Sequence, residues 1–391
     1  MSSSSSSLLR FDDGAVQFRL RLVVALLSHR SILIRNIRSD DLESPGLRDY
    51  EVSFLRLLDT LTNGTRMEIN TTGTQLRFQP GVLIGSDMDT IQHECPTSRG
   101  IGWFLEGILP LAPFGKEPLR ITFTGVTEGT CQTDPSPDYI QSSVLPLFEK
   151  FGIGTDQDES PPPHIRVVSR AAAATTTREG VSAGGGGRVE FYCPIVKELQ
   201  PIDLLDAGLV KRIRGKAISC RIPPSSSGRV AHAAKGLLQR LLPDIWIHTD
   251  VHNKKSSASL SSPSLSLVLR AESTTGCVWT SECCMDATQA RGAELPEDLG
   301  QRGAAMLLEE IKRGGCIDTT AQSFVLLLMC LGPEDVARIR IGTLSQYTIA
   351  SLRLFKQALG VEFKAKPDHD SKTVLLSCLG TGYRNMAKAS T

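Results

Sequence analysis

Apolar residues recur along this chain with two different periods. Phe54, Leu57, Leu58 and Leu61 fall at helical spacing and mark one buried helix face, and Val144, Leu147, Phe148 and Phe151 repeat that spacing. Leu119, Ile121 and Phe123 alternate with Arg120, Thr122 and Thr124, the period of a half-buried strand, and Ile339 and Ile341 alternate in the same way with Arg338 and Arg340. Helical and strand patterns interleave throughout, so the fold class is α/β or α+β.

Three stretches interrupt the pattern. Residues 154–187 carry "SPPPH", "AAAATTT" and "SAGGGG" and read as a long flexible connection. The Ser-rich run Asn253 to Ser266 reads as a loop between strands, and Thr127 to Asp138 as a surface turn. After the first break comes a strand ("LVKRIRGKAISCRI"), a helix from Arg229 to Leu242, and three more strands ("DIWIHTDV", "LSLVLRAES", "CVWTSEC"). A further helix is expected over Glu297 to Lys312. The expected organisation is a Ser-rich tail over 1–10, a large domain over 11–189 and 286–391, and a small α/β domain inserted at 190–285.

Composition narrows the function classes. With 391 residues, 40% of them hydrophobic, the chain can bury a sizeable core. A net charge of +1 means that a polyanion must be met by local patches, not by a bulk field. No apolar run reaches membrane-spanning length, so no membrane partner is expected, and the N-terminus lacks the pattern of a secretory signal. The 10 cysteines form no CxxC pair, which suits free thiols better than a disulfide frame or a zinc site.

Candidate chemistry is scattered. Gly184 to Gly187 lead into a strand without a Walker lysine and read as a turn. His248 and His252 stand four apart in an expected strand without a further ligand set. Asp40, Asp41 and Glu43 come nearest to an acidic cluster but read as a solvated turn. Basic residues do group: Arg19 with Arg21; Arg35, Arg38 and Arg48; Lys211, Arg212 and Arg214. These are the candidate contacts to RNA or another anion. Aromatic residues do not interleave with them, which argues against a base-stacking surface. The segment "GGCIDTTAQSFVLLLMCLG" (Gly314 to Gly332) sets a thiol, a carboxylate and two hydroxyls before an apolar run. It admits two readings, a reactive corner or the front of a buried helix.

The ordered run of motifs resembles the RNA 3'-terminal phosphate cyclase family, in its eukaryotic cyclase-like branch. The resemblance begins with "QFRLRLVVALLSHRSILIRNIRSDDLESPGLRDYEVSFLRLLDTLTNG" and continues through "FQPGVLIG", "RGIGWFLEGILPLAPFGKEPLRITFTGVT", "GGGGRVEFYCP", "PEDLGQRGAAMLLEEI" and "CIDTTAQSFVLLLMCLGPEDVARIRIG". It implies a large domain of repeated units, each packing two helices on a sheet, with a small inserted domain. It also implies that active members pass AMP from ATP to an RNA 3'-phosphate through a histidine just before an apolar helix. Thr319 stands at that place here, and no histidine occurs between His252 and His369. The family's Gly-rich opening reads "DDGAVQ" here, with Ala15 and Val16 where glycines would let a nucleotide approach.

The resemblance therefore implies a protein that is not an enzyme and uses no cofactor or metal. It implies a nucleolar and nuclear factor of the small-subunit processome, needed for pre-rRNA cleavages that release the small-subunit rRNA. The implied partners are a ribosome-biogenesis GTPase, pre-rRNA and the box C/D snoRNP. The alternative is an active RNA-modifying enzyme, either a cyclase with an altered nucleophile or an endonuclease. In the helix reading, Thr319 caps the apolar helix with Gln322 completing a capping box, and Gly332 ends it.

Overall fold

A computed structural model describes residues 8–86, 89–128, 134–155, 160–172, 175–177, 180–182, 185–252, 263–285 and 294–385. Residues 1–7 of the expected Ser-rich tail and most of the expected Ser-rich loop, residues 253–262, lie outside them; Leu9 and Arg10, also given to the tail, belong instead to a strand paired with Ile32 and Leu33.

One pattern occurs three times. The first unit runs β1 (Leu9–Phe11), α1 (Phe18–Ser28), β2 (Ile32–Ile34), α2 (Asp49–Leu61), β3 (Thr62–Asn63), β4 (Arg66–Ile69), β5 (Leu76–Gln79) and β6 (Val82–Leu83). Its sheet has the order β1-β2-β5-β4, and β3 pairs separately with β6. The second runs β7 (Ile91–Glu94), α3 (Ile101–Ile108), β8 (Leu119–Gly125), α4 (Pro137–Ser143), α5 (Leu145–Lys150), β9 (His164–Ser169), the hairpin β10 (Thr175–Thr177) and β11 (Gly180–Ser182), and β12 (Gly187–Cys193). Its sheet order is β7-β8-β12-β9.

The third unit opens with β13 (Asp203–Leu204). It is then interrupted by β14 (Val210–Cys220), α6 (Pro224–Leu238), β15 (Ile245–His252), β16 (Ser264–Ser273), β17 (Val278–Cys284) and α7 (Pro296–Arg313). It resumes as α8 (Gln322–Leu331), β18 (Val336–Ile341), α9 (Gln346–Leu359), β19 (Lys364–Asp368) and β20 (Thr373–Leu379), in a sheet of order β13-β18-β20-β19. In each unit the first two strands are parallel, a helix follows each, and the last strand slots between its two predecessors. This is the α+β architecture of repeated two-helix-on-sheet units that the resemblance implied.

The units share one apolar core in which Phe54, Phe104, Phe123, Phe148 and Phe355 are fully buried. The expected helix face on α2 and the alternations on β8 and β18 all supply it. The interrupting segment has its own sheet, β15-β14-β16-β17, with a separate core beneath α6 and α7. Leu299, Ala304 and Leu307 of α7 are buried in that second core. The sequence reading gave this helix to the large domain; its apolar stripe instead covers the inserted sheet. Gly300 permits the crossing, since a Cβ there would lie 2.4 Å from the Val230 carbonyl of α6.

Three further expectations change. The supposed flexible connection contains β9, an edge strand paired to β12, whose short "HIRVVS" alternation was masked by its Pro, Ala and Gly surroundings. The segment from Thr127 is no surface turn: Thr127, Asp134 and Asp138 are buried where the two cores meet. The helix expected from Arg229 starts at Pro224, because proline suits the first helical position. Among the described residues no helix is long and apolar enough to cross a membrane.

Candidate functional site

The segment from Gly314 to Gly332 lies where the inserted sheet meets the large domain. Its central group is Asp318, almost fully buried. One oxygen accepts from the Tyr139 hydroxyl at 2.7 Å and the Ala321 amide at 3.0 Å; the other accepts from the Ser143 hydroxyl at 2.6 Å and the Thr280 amide at 3.2 Å. Those donors come from α4, β17 and the entry to α8, so one carboxyl joins three elements. Burial raises it above the ordinary carboxyl range, opposed by the Ser143 and Tyr139 hydroxyls.

Asp318 also supplies the helix start expected of Thr319. The helix begins at Gln322, and the Ala321 amide donates to Asp318, not to Thr319. The Thr319 hydroxyl and amide both bond the Glu310 carboxylate of α7, the amide at 2.9 Å and the hydroxyl at 2.9 and 3.1 Å. Arg313 pairs with Glu310 at 2.6 Å and reaches the Thr319 hydroxyl at 3.2 Å. The expected partner Gln322 turns away, donating to the Thr343 carbonyl and accepting from the Thr348 hydroxyl. Gly332 follows the helix in extended backbone, φ −60° and ψ 174°, without the left-handed turn of a glycine cap. The apolar helix itself is as expected, with Val325 through Leu331 buried.

Beside Thr319 opens a cleft of about 300 Å³ lined by Tyr139, Thr280, Thr320 and five charged groups: Asp134, Glu282, Glu309, Glu310 and Arg313. Four carboxylates thus face one guanidinium. A narrower cavity of about 70 Å³ continues past Glu128, Asp138, Arg170, Glu282 and Arg302. Burial works to raise Asp138, yet the hydrogen bonds and charges of Arg170 and Lys216, at 2.6 and 2.7 Å, prevail and hold it down at about 2. Glu282 goes the other way. Burial pushes it to about 7 against the donors of Ser136, whose amide lies at 3.0 Å.

The other place that the resemblance singles out is the start of α1. Ala15 packs partly against the core and Val16 points outward, 52% exposed. Gln17 donates to the Ser351 hydroxyl at 2.8 Å, and Ser323 of α8 donates to the same hydroxyl at 2.9 Å. A short polar relay therefore joins α1, α9 and α8.

Most of the basic candidates are already engaged. Arg19 pairs with Glu106 and lies over the Trp103 ring; Arg21 is buried against Asp13 and Phe11. Arg38 grips Glu51 through two bonds of 2.7 and 2.8 Å, and Arg48 holds Asp41 at 2.7 Å. Arg212 meets Glu272 at 2.6 Å and Arg214 meets Asp244 at 2.9 Å. Arg35 and Lys211 are exposed, and no carboxylate among the described residues pairs with them. The structure places the Arg19, Arg21, Arg35, Arg38 and Arg48 group on the first unit and Lys211, Arg212 and Arg214 on the inserted sheet. His248 and His252 share a face of β15, but among the described residues no set of three ligands is placed to hold a metal. Reading by sequence missed Glu310, Glu282 and Asp138, whose roles depend on partners far along the chain and which carried no local motif.

The repeated units with one inserted domain, and a polar junction before an apolar helix, define a cyclase-type scaffold. The model of the RNA 3'-terminal phosphate cyclase family matches residues 11–365, and the chain belongs to that family. It is 45% identical to a probable RNA 3'-terminal phosphate cyclase-like protein of Dictyostelium discoideum, over 98% of this chain and 100% of that protein. It is 45% identical to the RNA 3'-terminal phosphate cyclase-like protein of Homo sapiens, over 96% of each. It is 40% identical to the rRNA processing protein rcl1 of Schizosaccharomyces pombe, over 98% of each.

Proposed function

We propose that this chain is a non-catalytic ribosome-biogenesis factor acting in pre-rRNA processing. In this reading it works in the nucleus and nucleolus within the small-subunit processome. It is a rigid docking scaffold for a ribosome-biogenesis GTPase, beside pre-rRNA and the box C/D snoRNP. The ribosomal role is supported by the name of the fission-yeast relative. The non-catalytic role is carried by the acidic cleft at Thr319. Glu310 occupies the Thr319 hydroxyl and amide, and the carboxylates of Asp134, Glu309 and Glu310 outnumber the one arginine lining the cleft, which disfavours the triphosphate that an adenylyl transfer would bring.

One observation favours a second reading, an active RNA-modifying enzyme. A hydroxyl bonded to a carboxylate is the arrangement of a base-activated nucleophile. Arg313 opposes it by pairing with Glu310 at 2.6 Å and engaging the Thr319 hydroxyl itself at 3.2 Å. Incubation with ATP labelled in its α-phosphate, and with a 3'-phosphorylated oligonucleotide, separates the two. The scaffold reading expects no labelled protein and no cyclic end. Labelling that disappears in Thr319→Ala would establish the enzyme. Depletion of the protein should block release of the small-subunit rRNA, with Thr319→Ala restoring it, and the GTPase should co-purify from cells.

A further inference from the structure

We infer that the open end of the inserted sheet's helix-free face, around Arg214 and Trp246 and beyond the part that packs on the large domain, binds single-stranded RNA, with Trp246 stacking on an unpaired base. The choice of RNA as ligand rests on the function proposed above; the site rests on the sheet. In the register of β14 and β15, Ile213 and Ile245 are neighbours that point into the second core. The next pair, Arg214 and Trp246, must point the opposite way, and so must Lys216 and His248. Trp246 is 69% exposed there, whereas Trp103 and Trp279 are buried. Among the described residues no guanidinium lies over its ring. Cations stand at every second residue of β14, at Arg212, Arg214 and Lys216, so an indole is set against a line of positive charge. Sequence position hides this, because Trp246 and Arg214 lie on different strands.

Each of these three cations is paired with a carboxylate. Lys216 is tied to buried Asp138, while Arg214 and Arg212 pair with Asp244 and Glu272. Exposed ion pairs are weak in water, and a phosphate offers a guanidinium the same bidentate geometry. β15 is also the edge strand of its sheet, so its outer amides and carbonyls are open to base edges among the described strands. A protein hot spot needs an apolar surround, whereas the neighbours of Trp246 on this face are charged or imidazole groups. A positive track with one aromatic platform is the pattern of single-strand binding.

The test is titration of the full chain with a short unstructured oligouridylate, read by tryptophan fluorescence and by anisotropy of a labelled strand. Binding should quench the emission of Trp246. Trp246→Ala should weaken affinity roughly 5- to 150-fold, the range for loss of one stacked base. Trp246→Phe should weaken it less, and Arg214→Ala should flatten the dependence of affinity on salt. Absence of binding, or equal affinity of Trp246→Ala and wild type, overturns the inference. So does a Trp246→Ala chain that keeps RNA affinity but loses a protein partner. Failure of the wild-type chain to restore pre-rRNA processing would instead sink the proposed function and leave the binding result standing.

Discussion

Glu282 should make the junction between the two cores weaken as pH rises. It lies on β17 and accepts the amide and hydroxyl of Ser136, the residue that caps α4 in the large domain. Burial, with the charges of Asp138 and Asp134, raises its carboxyl from 4.5 to about 7. A raised carboxyl holds its proton more tightly in the folded state than in the unfolded one. The stability contributed by this group is therefore fully present below about pH 4.5, declines as pH rises to about 7, and then levels. The full shift corresponds to about 3 kcal/mol. Glu282 also lines the cleft and is only half-buried, so water screening reduces the expected loss to roughly 1.5–3 kcal/mol. Glu282→Gln keeps the shape and an acceptor for the Ser136 amide but cannot ionise. Denaturant unfolding of both proteins between pH 4.5 and 8 isolates this group, because all other titrations cancel in the difference. The variant should match wild type at pH 4.5 and exceed it at pH 8 by that amount. Parallel stability curves for the two proteins would refute the reasoning.

Other expectations follow from the same junction. Arg170→Ala should destabilise by about 3–5 kcal/mol in chemical denaturation, because Asp138 is left buried with only Lys216. Asp318→Asn should cost about 1–3 kcal/mol, since an amide nitrogen cannot accept from both the Ser143 hydroxyl and the Thr280 amide; an unchanged melting temperature would contradict the four-donor geometry. Gly102→Ala should cost about 1–3 kcal/mol, because a Cβ on α3 would lie 1.7 Å from the Pro135 carbonyl, and hydrogen exchange should quicken at the Gly100 amide that Asp134 holds. Thr319→Ala should cost about 1–3 kcal/mol through loss of its bond to charged Glu310, measured by thermal unfolding, with no nucleotidyl transfer to lose.

Periodicity alone was enough to find α2, β8 and β18, because each buries a face whose spacing is written in consecutive residues, while α8 was legible as an apolar run. The same holds for the order of elements in the inserted sheet. Local readings failed where a partner elsewhere decided the outcome. Thr319 and Gln322 have the letters of a capping box, but Asp318 lies one residue earlier and takes the Ala321 amide, while Glu310 claims Thr319. β9 is a strand because β12 lies beside it, not because its own residues insist. α7 has an amphipathic stripe that any sheet could cover, and only the close crossing at Gly300 selects the inserted one.

The sequence by itself determined the family, the interleaved helices and strands, and the apolar α8. Tertiary structure decided what the charged groups do. Asp138 near 2 and Glu282 near 7 are both carboxylates in one junction, and their difference comes from two cations on one and none on the other. Charge, burial and stacking depend on neighbours brought together through space, and a linear pattern does not carry those distances.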